Sequence, residues 1–385
     1  MNAVEVGPPN RERIRRAPKV VLHDHLDGGL RPETIIELAD ETGYTDLPTT
    51  DPAGLAAWMQ RGANRKDLTL YLETFAHTVG VMQTPEAVAR VARECAEDLA
   101  ADGVVYAEVR FAPELHVERG LTLDGAIEAV LDGFARGSAG TGLTIRAICT
   151  AMRHLDRSAE VAEAAVRWRD HGVVAFDIAG PEDGHPPDDH LDAFQYCHRE
   201  NFHITIHAGE AYGPRSIWKA LQFCGAERLG HGIRIIEDVA ADGPGERTLG
   251  RLAHYMRDRR IPLEVCPTSN INTGVFASMA EHPIDTLVDL RFRVTVNTDN
   301  RLMSNVSMTS EMAALVDAFG YGWARLRWLT VNAMKSSFLP FRERLQMIEA
   351  VIKPGYAPLE AARGRPPPDT RPDPNLSPRL EETQP

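Results

Sequence analysis

Val20-Val21-Leu22-His23-Asp24-His25-Leu26-Asp27-Gly28 is a short apolar run that ends in two histidines one residue apart. In an extended strand, alternate side chains point the same way. His23 and His25 can therefore reach one point from a single strand end. An imidazole pair so placed suits a divalent transition metal, zinc first. Standing alone, the stretch reads equally well as two surface or capped histidines. It does not stand alone. Ile204-Thr205-Ile206-His207-Ala208-Gly209-Glu210, Arg228-Leu229-Gly230-His231-Gly232 and Val294-Thr295-Val296-Asn297-Thr298-Asp299 repeat its grammar. In each, apolar or β-branched residues are followed at once by a His, Glu or Asp.

Working outward, the chain alternates strand-like and helical runs. Strand patterns fall at 19–23, 104–109, 143–149, 173–178, 203–206, 228–230, 262–265 and 293–296, each followed by helical periodicity. Alternation of this kind implies a parallel sheet with right-handed crossovers. Eight such units predict an α/β fold of the (β/α)8 TIM-barrel type, with extra helices inserted after strand 1 and at the C-terminus. Catalytic groups then come from the C-terminal ends of strands, where His23, His25, His207, His231 and Asp299 all fall. A doubly wound open sheet is the competing architecture, and it would not bring the first and eighth strands together. The stretch 43–83 is long for a connection and reads as two or three short helices over a strand end. Of its apolar residues Leu55, Trp58, Leu68, Tyr71, Leu72, Phe75 and Val79, most are expected in the core and a minority along a pocket.

The chain of 385 residues divides into a flexible leader at 1–17, one domain at 18–355 and a Pro-rich, disordered tail at 364–385. A formal net charge of −13 argues against a nucleic-acid partner, which calls for basic patches. The five cysteines are scattered, with no Cys-x-x-Cys pair, as expected of buried thiols in a reducing compartment. No apolar run has the length of a signal peptide core or a membrane span, so the expected location is cytoplasmic, with no membrane partner. Walker and dinucleotide glycine motifs are absent.

The four fragments, with Phe176-Asp177-Ile178-Ala179-Gly180 and Cys266-Pro267-Thr268-Ser269-Asn270 between them, resemble the ordered motifs of the adenosine deaminase family. That family lies within the metal-dependent amidohydrolase superfamily, and the resemblance spans about residues 18–350. It implies the barrel, one zinc ion per chain and hydrolytic deamination of adenosine and 2′-deoxyadenosine, small purine nucleosides, in purine salvage. His23, His25, His207 and Asp299 correspond to the metal ligands. Glu210 corresponds to the proton donor to the purine ring nitrogen beside the amine-bearing carbon. His231 corresponds to the group that orients and deprotonates the metal-bound water. On the substrate side the resemblance implies contacts from His25, from Asp27 to the ribose 5′-hydroxyl and from the Gly180 backbone N–H to N3. Asp27 could instead cap the turn before Pro32, and Gly180 could be a simple turn glycine.

One position departs from the family pattern. Many members follow the metal-binding aspartate with a second aspartate that meets N7, and here the residue is Asn300. An amide NH2 donates at any pH, so Asn300 preserves that recognition. Rival readings are a deaminase of another 6-aminopurine, such as adenine or aminodeoxyfutalosine, and a non-catalytic metal-bearing binding protein. Glu210 and His231 beside all four ligand types argue against the last. The remaining histidines, including His77, His116, His154, His171 and His254, are expected to be structural, with His185 and His190 solvated in a Pro- and Asp-rich loop.

Overall fold

Eight parallel strands pair in strict chain order in a computed structural model that describes residues 7–243 and 246–361. They are β1 (Lys19–His25), β2 (Val104–Phe111), β3 (Thr144–Met152), β4 (Val173–Ala179), β5 (His203–Ala208), β6 (Arg228–His231), β9 (Pro262–Val265) and β10 (Arg293–Val296). Two further strands, β7 (Val239–Gly243) and β8 (Glu246–Leu249), form an antiparallel hairpin outside this sheet. The sheet closes on itself where β1 meets the residues after β10. Asp24 and Asp299 form a parallel bridge. The Asp299 N–H donates to the His23 carbonyl, and the His25 N–H to the Asp299 carbonyl, both at 2.9 Å. The Asn297 side chain joins them by accepting from the Leu22 N–H at 2.8 Å. An open doubly wound sheet lacks such a contact, so the architecture is the TIM barrel.

Strands wrapped by helices are buried on both faces and read as near-continuous apolar runs. β1 and β2 follow this rule, and nearly every residue of the eight strands is buried. Several of the exceptions to apolarity are charged and lie inside the barrel. Arg110 donates to Asp177 at 2.8 Å, to Glu264 at 2.6 Å and to the Leu22 carbonyl at 2.8 Å. Arg228 reaches Glu264 at 2.5 Å and Glu108 at 2.6 Å. Buried ions persist only when paired, and here each has more than one partner. Against the upward pull of burial, Arg110 and Arg228 hold the Glu264 carboxyl well below the usual range. The network is the floor beneath the site.

The insertion after β1 holds the helices Pro32–Thr42, Pro52–Ala63, Leu68–Leu72 and Phe75–Val81 before the long Pro85–Ala101. Part of the expected leader is built into the fold. Arg11–Arg16 is a helix, capped by Asn10 accepting from the Arg13 N–H at 2.9 Å, with Ile14 fully buried. The Trp323 indole donates to the Gly7 carbonyl at 2.8 Å. A single apolar residue among four arginines gives no visible period, which is why the helix is hidden in the sequence. The expected tail at 364–385 lies outside the described residues.

Candidate active site

At the carboxyl ends of the strands, β1 supplies His23 and His25, β5 His207, β6 His231, and the turn after β10 Asp299. His23, His25 and His207 offer ring nitrogens all within 4.8 Å of one another, and so do the donor atoms of His23, His231 and Asp299. Asp299 Oδ1 lies 3.3 Å from both His23 Nε2 and His25 Nε2. His25 Nε2 and His207 Nε2 are 3.2 Å apart. The backbone is bent to deliver these groups: His231 and Asp299 have φ of 59° and 58°, in the left-handed region that non-glycine residues avoid. Gly230 leaves the space they need. A Cβ there would come within 3.1 Å of His23 Cε1 and of His207 Cα.

Outer partners aim the rings. His23 Nδ1 meets the Glu264 carboxylate at 2.9 Å. His207 Nδ1 lies 3.0 Å from Asp177 Oδ2 and 3.1 Å from the Ile178 carbonyl. Each acceptor requires a proton on Nδ1 and leaves the Nε2 lone pair directed into the cluster, the arrangement typical of histidines that bind metals. Ser269 donates its hydroxyl to Asp299 Oδ2 at 2.6 Å, leaving Oδ1 to face the histidines.

A cavity of about 470 Å3 opens onto the cluster. His25, Asp27, Gly180, His207, Glu210, His231, Asp299 and Asn300 all line it, so it gathers every site residue expected from the sequence except His23, which is buried beneath. Glu210 is buried. Its Oε2 is 3.5 Å from His231 Nε2, and its Oε1 accepts from the Thr273 hydroxyl at 3.2 Å. Burial, together with the charges of Asp299 and Glu182, pushes the Glu210 carboxyl well above the ordinary range. Burial, with Asp24 and Asp299 close by, pushes the Asp27 carboxyl up to about 7. Gly180 has φ 106°, and a Cβ on it would sit 3.2 Å from Met152 and 3.3 Å from His154. The far wall is apolar and comes from the insertion: Leu68, Leu72, Phe75 and Val79.

Several residues here were not singled out by the sequence. Glu182 accepts from the backbone N–H of Gly209, Glu210 and Tyr212 at 2.7, 3.1 and 2.8 Å, and so pins the turn that carries Glu210. Glu264 and Asp177 orient the histidines. His154, expected to be structural, lines the cavity at its exposed rim. His190, expected in solvent, is buried between the Ser158 hydroxyl at 2.9 Å and the Arg153 carbonyl at 3.0 Å. The readable signal was a carboxylate inside an otherwise apolar strand, as in Leu263-Glu264-Val265, which demands a buried partner.

Residues 18–354 match the family model described as adenosine deaminase. The chain is 62% identical over 358 residues to adenosine deaminase 1 of Streptomyces coelicolor, covering 92% of this chain and 90% of that one. It is 60% identical over 357 residues to an adenosine deaminase of Mycolicibacterium vanbaalenii, covering 91% and 99%. Among solved structures, an amidohydrolase from Burkholderia ambifaria with bound Zn superposes with a TM-score of 0.77 at 25% identity, covering 94% of this chain and 96% of that one. Barrel and strand-end cluster together define the metal-dependent amidohydrolase class. Within that class, the chain belongs to the adenosine deaminase family.

Proposed function

We propose that His23, His25, His207 and Asp299 hold one zinc ion per chain, beside which Glu210 and His231 carry out hydrolytic deamination. As a member of its family the chain is an enzyme that deaminates adenosine. Adenosine and water give inosine and ammonia, and 2′-deoxyadenosine gives deoxyinosine. The donor set fits a metal. Three imidazoles offer nitrogens within 4.8 Å of one another, Asp299 Oδ1 lies 3.3 Å from two of them, and His23 Nε2 is a buried nitrogen without a hydrogen-bond partner. The Zn in the B. ambifaria relative supports zinc as the ion. The outer partners of His23 and His207 also suit a catalytic zinc. When bound, zinc supplies a Lewis acid that makes water nucleophilic near neutral pH.

The chain's own groups do the rest. Glu210 is held toward its protonated form by burial and by the charges of Asp299 and Glu182. It gives its proton to the ring nitrogen beside the amine-bearing carbon, and the carbon becomes electrophilic. His231 Nε2 faces the same space and orients the attacking oxygen. Asp27 takes the ribose 5′-hydroxyl, with His25 beside it on the cavity wall as a further substrate contact. The Gly180 N–H serves N3, and the absence of a side chain there permits close approach. Asn300 donates to N7. The apolar wall from the insertion covers the purine and excludes water.

The observation that carries this reading is the convergence of a buried Glu210 with His25, His207 and Asp299 on one cavity, with His23 buried beneath them. Named relatives at about 60% identity favour adenosine over adenine. Among the described residues no helix is long and apolar enough to cross a membrane. The five cysteines are free and buried, which suits a reducing cytoplasm. The test is ammonia release over adenosine, 2′-deoxyadenosine and adenine, with metal analysis on the same samples. Adenosine should be the best substrate, and His207→Ala should lose both metal and turnover. Full metal occupancy in that variant would remove His207 from the ligand set.

A further inference from the structure

Behind His231 runs a chain of hydrogen bonds that starts on a group with no choice of role. The backbone N–H of Ile284 points at His282 Nδ1 at 3.2 Å. That nitrogen must accept, so neutral His282 carries its proton on Nε2. His282 stays neutral because burial holds its pKa down to about 3. Its Nε2 lies 3.4 Å from Asn270 Oδ1. With Oδ1 as the acceptor, the Asn270 amide turns its Nδ2 to His231 Nδ1 at 3.1 Å. His231 Nδ1 then accepts, and the remaining ring proton sits on Nε2. That is the nitrogen 3.5 Å from Glu210 Oε2, facing the cavity.

The alternatives fail one by one. Flipping the Asn270 amide sets its NH2 against the His282 Nε2–H. Moving the His282 proton to Nδ1 sets it against the Ile284 N–H. All three side chains are buried, so water cannot relieve either clash. We infer that Asn270 and His282 are positioning residues that fix the proton of His231 on Nε2, so that His231 meets the reacting atoms as a hydrogen-bond donor. It therefore orients the attacking oxygen by donating to it. This inference rests on the reading of His231 given above, and it takes up the orienting part of the role that the family resemblance implied.

The test uses the zinc-loaded, full-length protein labelled with 15N-histidine, the His231 signals being assigned from their absence in His231→Gln. In the parent, Nδ1 should give the signal of a bare acceptor nitrogen and Nε2 that of an N–H. Asn270→Asp keeps the shape but offers only acceptors, so it should draw a proton to His231 Nδ1. Its kcat should fall about tenfold or more, in the range of a mis-set acid–base group, with metal content and KM near parental. His282→Gln keeps a donor toward Asn270 and should keep the parental signature, with kcat within about threefold, well under that range. His282→Leu removes the donor and should behave like Asn270→Asp. A parent spectrum with the proton on Nδ1 overturns the inference whether or not any variant folds. So does an Asn270→Asp variant with parental kcat. A parent that binds zinc but releases no ammonia would instead overturn the functional reading, and the spectrum would still report the tautomer.

Discussion

The backbone N–H of Asp299 donates to the carbonyl of His23 at 2.9 Å, so one hydrogen bond both closes the barrel and joins two of the proposed ligands. The reciprocal bond from the His25 N–H to the Asp299 carbonyl ties in a third. Asp299 sits at φ 58°, a conformation that costs a non-glycine residue on the order of 1–3 kcal/mol. The paired bonds hold it there. Site geometry and barrel closure are thus one structural event, and a change beneath the cluster should register in both metal affinity and stability.

Gly230 gives the sharpest steric test of that coupling. An added methyl would press on His23 Cε1 and His207 Cα at 3.1 Å each. Gly230→Ala should weaken zinc binding by roughly 10–100-fold, the range for disturbed supports of metal ligands. Competition with a chromophoric chelator measures this. Unchanged affinity would mean that the two histidines can yield without cost.

Glu264 joins His23 to the barrel floor. It accepts from Arg110, Arg228, Thr205 and His23. Glu264→Leu leaves buried guanidinium groups short of a partner, a loss of about 3–5 kcal/mol. Urea unfolding at pH 7 should show that loss. A variant within about 1 kcal/mol of the parent, the scale of a surface pair, would show that Glu108 and Asp177 suffice as counter-ions.

Glu264 also marks the limit of what could be read from the chain. All eight barrel strands and the helical insertion were legible, because apolar runs and their punctuation report burial directly. His23, His25, His207 and Asp299 were legible because each ends such a run. The carboxylates and amides that steer them were not. Glu264, Glu182 and Asn270 act on residues tens to hundreds of positions away, and their roles depend on which atom faces which. The hairpin of β7 and β8 was also missed. It carries a Glu246-Arg247-Thr248-Leu249 strand of three exposed polar residues and one buried leucine, so its pattern resembles a loop. The helix Arg11–Arg16 was hidden for the same reason.

Glu311 makes a prediction for pH. It is buried, with one oxygen accepting from the Thr268 N–H at 3.3 Å and the other without a partner. Burial pushes its carboxyl up from 4.5 to about 7. A folded pKa above the unfolded one means that the stabilising contribution is full below about pH 4.5 and is lost as pH rises through about 7. Glu311→Gln removes that dependence. From pH 5 to 8 the parent should therefore lose stability relative to the variant, as followed by denaturant midpoints. Parallel curves would place the Glu311 pKa near its ordinary value.

Asn300 is tested with 7-deazaadenosine, which has C–H in place of N7. The residue is buried and lines the cavity. The parent should favour adenosine by about 1–3 kcal/mol in kcat/KM, the cost of leaving a buried donor unpaired. Asn300→Ala should shrink that preference. If the parent treats both substrates alike, or the variant keeps the full gap, Asn300 does not contact N7.

The most direct test of the central claim is ammonia release from adenosine by the parent and by Glu210→Gln, with zinc measured on the same samples. The amide keeps the size of the side chain but has no carboxyl proton to give to the ring nitrogen. The account predicts about one zinc per chain in both proteins, and a turnover lower in the variant by roughly 10²–10⁴-fold. Turnover within a factor of about three of the parent, far short of that range, at equal zinc content, would contradict it.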